Sequence, residues 1–68
     1  MLNLAIVCNA FAYHFAINIA GKYVYVRAME RIGDYSPHQH VRLTVEPKSG
    51  GNPYLVELFF TPSGVTIA

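Results

Sequence analysis

From Phe11 to Ala20, large apolar residues (Phe11, Tyr13, Phe15, Ile17, Ile19) alternate with small or polar ones (Ala12, His14, Ala16, Asn18, Ala20). A period of two marks an extended chain, because successive side chains of a strand point to opposite faces. The run meets Gly21-Lys22 and resumes as Tyr23-Val24-Tyr25-Val26-Arg27, so a two-residue turn at Gly21-Lys22 folds the second segment back on the first. That register sets Ile19 against Val24, Ile17 against Val26 and Phe15 against Ala28 on an apolar face. The opposite face then holds Tyr23, Tyr25 and Arg27 together with Asn18, Ala16 and His14, with His14 opposite Met29.

Upstream, Leu2, Leu4, Ile6 and Cys8 alternate with Asn3, Ala5 and Val7, and Asn9-Ala10 offers a tight turn into the Phe11 strand. Pairing Cys8 with Phe11, Ile6 with Tyr13 and Leu4 with Phe15 keeps one apolar layer continuous. A helix over residues 2–9 is the rival, since a short apolar run fits both periods. Downstream the pattern lapses from Glu30 to His40, where Gly33-Asp34 and Ser36-Pro37 signal turns. An irregular connection is expected there, with a short helical turn near residues 27–32 as an option.

Val41, Leu43 and Val45 then alternate with Arg42, Thr44 and Glu46, and Tyr54, Val56, Leu58 and Phe60 with Leu55, Glu57 and Phe59. The loop between them is fenced by Pro47 and Pro53, which cannot donate to a ladder and so suit strand ends. Apolar-to-apolar register pairs Val45 with Tyr54 or with Val56, and the first places Arg42 opposite Glu57. Thr61-Pro62-Ser63-Gly64 reads as a β-turn with proline second, leaving Val65 to Ala68 as a last strand. The expected fold is mainly β, one domain over residues 1–68. It is an antiparallel meander of five to six strands, barrel-like or two-layered, because short loops exclude parallel crossovers.

Composition sharpens this picture. Only 13% of the 68 residues are charged, against about 25% in ordinary soluble domains. A domain this small buries only about 60% of its unfolded surface, so a second copy or a partner would help cover it. A homodimer is therefore expected, and the terminal strands carry no charged side chain to block pairing with another copy. The net charge of +1 is no footprint for a nucleic acid or an anionic membrane. All of residues 2–20 except Asn3, Asn9, His14 and Asn18 are apolar, yet the strand period and the lack of a preceding basic residue argue against a leader or membrane anchor. A single cysteine, Cys8, excludes an internal disulfide framework. A cytoplasmic protein with no membrane association is expected.

Candidate chemistry is sparse. The face bearing Tyr23, Tyr25, Arg27, His14 and Asn18 is the candidate partner-binding site, because tyrosine and arginine combine contact area with a polar handle. The same tyrosines could instead pack under another strand of the domain. Gly21 to Val26 resembles the stacking strand of an RNA-recognition motif over that stretch alone. The motif's second aromatic strand and its helices have no counterpart, so single-strand binding through stacking on Tyr23 and Tyr25 stands as an alternative.

His38 and His40 fall short of the three or four ligands a zinc site needs, so no metal or other cofactor is expected. Ser36, Ser49 and Ser63 sit in turns, the carboxylates are scattered, and the strand pairing sends Cys8 and His14 to opposite faces. The chain is read as a non-enzyme that works by protein–protein contact on a larger protein or complex. A phage or mobile-element inhibitor of host machinery would fit that description, and a self-assembling structural subunit is a further alternative.

Overall fold

The computed structural model describes residues 2–35 and 37–68. The chain opens with a helix, α1 (Leu4–Tyr13), followed by strands β1 (Ala16–Ile19), β2 (Lys22–Tyr35), β3 (His38–Pro47), β4 (Tyr54–Thr61) and β5 (Gly64–Ile67). The five strands form one antiparallel meander in the order β1-β2-β3-β4-β5, curled into a half-barrel. The mainly β expectation holds, with five strands and one helix.

The rival helix over residues 2–9 holds from Leu4, and its extension to Tyr13 corrects the start of the Phe11 strand, so the pairings of Cys8 with Phe11, Ile6 with Tyr13 and Leu4 with Phe15 do not form. Local chemistry accounts for this. The Asn3 side chain accepts a hydrogen bond from the Ile6 N–H at 2.9 Å, capping the first turn. Leu2 and Val7 hold the two positions of a hydrophobic staple around that cap. Ala5, Ala10 and Ala12 are strong helix formers, and Leu4, Val7 and Ala10 recur at intervals of three along one side. Val7 and Ala10 are fully buried against the sheet. The helix ends where His14 turns into the left-handed region (φ 58°, ψ 50°).

The first hairpin turns at Ala20-Gly21, one residue earlier than Gly21-Lys22, with Ile19 paired to Lys22 and Ile17 to Val24. Both turn residues have positive φ, 55° and 83°, the geometry of a turn that matches strand twist. Moving the turn by one residue slides the partner strand by two, so Ile17, Ile19, Val24 and Val26 still share the buried face.

Strand β2 runs unbroken to Tyr35, through residues 27–32, where a helical turn is the option, and into the Glu30 to His40 stretch expected to be irregular, whose end His38–His40 belongs to β3. Two bulges, between Val26 and Ala28 and between Arg31 and Gly33, add Arg27 and Ile32 to the ladder and disguise the period of two. The first bulge reverses two side chains. Met29 packs against the core opposite Leu43, while Ala28 is exposed opposite Thr44. Tyr35 pairs with His38 across the Ser36-Pro37 connection, of which Ser36 lies outside the described residues.

Strands β3 and β4 pair as Val45 to Tyr54 and Arg42 to Glu57, the first of the two expected registers. Thr61 pairs with Gly64 across the Pro62-Ser63 turn. The concave face carries Ile17, Ile19, Val24, Val26, Val41, Leu43, Val45, Leu58 and Phe60, and α1 lies across it as a plug. Burying such a side chain fully contributes about 1.5–3 kcal/mol.

Candidate contact surface

The convex face of the sheet carries four of the five residues expected at the partner site. Tyr23 and Tyr25 lie on it opposite Asn18 and Ala16 of β1. Tyr23 is 60% exposed and free to meet a partner. Tyr25 is half-buried, because the Arg27 guanidinium lies 4.8 Å from its ring centroid. The bulge at Arg27 aims that side chain, whose Nε also donates to Glu46 Oε2 at 3.3 Å. Asn18 serves the turn: its Oδ1 accepts from the Gly21 N–H at 3.1 Å. His14 is the exception. It sits at the C-terminal cap of α1 rather than in the ladder, so it does not face Met29 and does not join the tyrosines by strand register.

Sequence reasoning missed a second group. Because α1, uncharged and with Asn9 as its one amide side chain, docks by one edge, Phe11 and Tyr13 remain 36% and 75% exposed, and Phe15 just past its end 42%. A helical reading of residues 4–13 with Leu4, Val7 and Ala10 inward turns Tyr13 outward, whereas Phe11 falls beside Val7 on that reading and Phe15 lies past the helix end. Phe15 immediately precedes Ala16, the pair of Tyr25. The aromatic shoulder of the helix and the tyrosine face thus flank β1 on its two sides, and the outer edge of β1 has no strand partner among the described residues.

Charge on the convex face is largely internally neutralised. Arg42 bridges Glu30 at 3.2 Å and Glu57 at 3.7 Å, and Arg31 lies 3.9 Å from Asp34. His40 Nε2 is 2.8 Å from Glu57 Oε1, and its ring stacks on Phe59 with centroids 3.9 Å apart. All three arginines thus meet carboxylates, whereas neither Lys22 nor Lys48 has one within 4.0 Å among the described residues.

His40 is committed to Glu57 and Phe59, and among the described residues no three potential metal ligands come together. Cys8 lies half-buried on the helix that His14 caps, so the opposite-face argument that separated them falls away with the strand. No hydrogen bond joins the two among the described residues. The described residues contain no helix long and apolar enough to cross a membrane. No known protein family, curated protein or solved structure matches the chain.

Proposed function

We propose that this chain is a non-enzymatic binding protein that works by contact with another protein in the cytoplasm, through the border along β1. The border comprises Phe11, Tyr13 and Phe15 on one side and Tyr23 with the stacked Tyr25–Arg27 pair on the other. The observation that carries this reading is the exposure of Phe11 and Tyr13 on a helix without a charged side chain, and of Phe15 just past its end. A helix of that kind normally lies inside a protein or an assembly, and contiguous apolar surface on a small domain marks interaction sites. Tyrosine and arginine beside it are the residue types that anchor interfaces.

Single-strand binding along the tyrosine face receives less support. Glu46 lies beside Tyr25 and Arg27, and Glu30 and Glu57 occupy the next positions outward, where a phosphate backbone would have to pass.

Site-specific photo-crosslinking tests the proposal. A photoreactive residue at position 13 or 23, expressed in the native cell, is expected to trap protein, with little product from the same residue at Thr66 on β5. Crosslinks to nucleic acid alone, or equal yields at all three positions, would overturn it. Sedimentation of the purified chain then tells whether a second copy is itself the occupant.

A further inference from the structure

We infer a second recognition site at the end of the half-barrel, sharing Tyr23 with the contact border and built to receive an acidic segment of a partner protein. Between the β1–β2 turn and the β3–β4 loop lies a cleft of about 750 Å³ whose lining includes Lys22, Tyr23, Lys48, Ser49 and Gly50. That volume is within the roughly 300–1,000 Å³ of ligand-binding clefts, and it has room for several residues of an extended chain.

Its chemistry is one-sided. Every polar side chain lining the cleft can donate a hydrogen bond, through two ammonium groups and two hydroxyls, and no carboxylate lines it. The rest of the molecule lacks this bias. The arginines Arg27, Arg31 and Arg42 are spent on Glu46, Asp34, Glu30 and Glu57, so the paired groups sum to three positive and four negative charges. The net charge of +1 thus divides into −1 over the paired groups and +2 on Lys48 and Lys22, the latter's ammonium lying at the cleft's border, 5.9 Å from the Tyr54 ring centroid. Positive potential is concentrated at one end, where an anionic segment would be steered.

The cleft is also held in shape. The Lys48 N–H donates to the Tyr23 carbonyl at 2.9 Å, and the Gly50 N–H to the Pro47 carbonyl at 3.0 Å, closing a turn with Lys48 and Ser49 at its centre. Gly50 has φ +97°, with nothing near its Cβ direction, so the loop presents backbone without side-chain cover. Two lysines suit a short run of carboxylates better than a long phosphate track, which would continue past Tyr23 onto the acidic groups of the convex face.

A fluorescent peptide of alternating glutamate and glycine, titrated into the intact protein, tests this. Amide shifts are expected at Lys22, Tyr23, Lys48 and Ser49, with none at Phe11, Tyr13 or Phe15. Lys22→Glu with Lys48→Glu should weaken binding at least about tenfold and abolish its salt dependence. Both lysines are exposed, and circular dichroism would verify that the variant folds. No peptide shifts at these residues, equal affinity of the charge-reversed variant, or tighter binding of an oligothymidylate of equal charge would overturn the inference. The photo-crosslinking result at position 13 stands apart from all of these outcomes.

Discussion

Ala20 holds a backbone conformation that alanine rarely adopts, with φ +55° in a turn whose other residue is Gly21 at +83°. An L-residue with a Cβ in the left-handed region is strained by about 1–2 kcal/mol, whereas asparagine tolerates it through local hydrogen bonding. Ala20→Asn is therefore expected to raise the unfolding free energy by about 0.5–1 kcal/mol, read from the midpoint of a urea titration. An unchanged or lower midpoint would show that the turn is not of this type. At the opposite extreme, Leu43 has no exposed surface in the middle of β3, and Leu43→Ala should lower stability by about 2–5 kcal/mol. The exposed Leu55 on the convex face of β4 lacks that packing, and Leu55→Ala should change stability by less than about 0.5 kcal/mol.

Among the elements, the helix depends most on a single side chain. Asn3→Ala removes the acceptor for the Ile6 N–H and should destabilise the protein by about 0.5–2 kcal/mol, with faster amide exchange at Ala5 to Val7 as the local sign. Exchange that is unaltered there would mean the cap is idle. The helix was half legible: the rival helix over residues 2–9 holds from Leu4, but its continuation to Tyr13 was hidden because Phe11, Tyr13 and Phe15 alternate by coincidence with Ala12 and His14. The Asn3 cap and the spacing of Leu4, Val7 and Ala10 were the competing signal.

Strand β2 escaped for a different reason. Each bulge inserts one residue, so Arg27 and Ile32 shift the period of two and make a continuous strand read as a broken one. By contrast, β3 and β4 contain no bulge, and the pairing of Arg42 with Glu57 was readable from alternation and charge together. Those cross-strand charges fix register more than stability. A double-mutant cycle on Arg42→Gln and Glu57→Gln should return a coupling of about 0.2–1 kcal/mol, shrinking with added salt. A coupling well above that range, insensitive to salt, would mean the pair is shielded from water.

The molecule as a whole is a half-barrel that a short apolar helix plugs without being consumed by it. The faces of the candidate site were legible where they depended on strand parity: Tyr23, Tyr25, Arg27 and Asn18 lie together on the convex side. His14 was misplaced and the aromatic shoulder missed because both depend on the helix. The same arrangement predicts self-association behaviour. If a second copy covers the shoulder, Tyr13→Ser with Phe15→Ser should lower the weight-average mass in sedimentation equilibrium. An unchanged mass would assign the shoulder to a different protein.

Most directly, the account stands on the helix docking by Leu4, Val7 and Ala10 and leaving its aromatic residues outside. Paramagnetic broadening by a soluble gadolinium chelate, measured where the chain sediments as a monomer, tests that geometry. Strong broadening of the Tyr13 and Phe15 ring signals with sharp Val7 methyl signals is the predicted result. Protected Tyr13 and Phe15 rings, or broadened Val7 methyls, would contradict it.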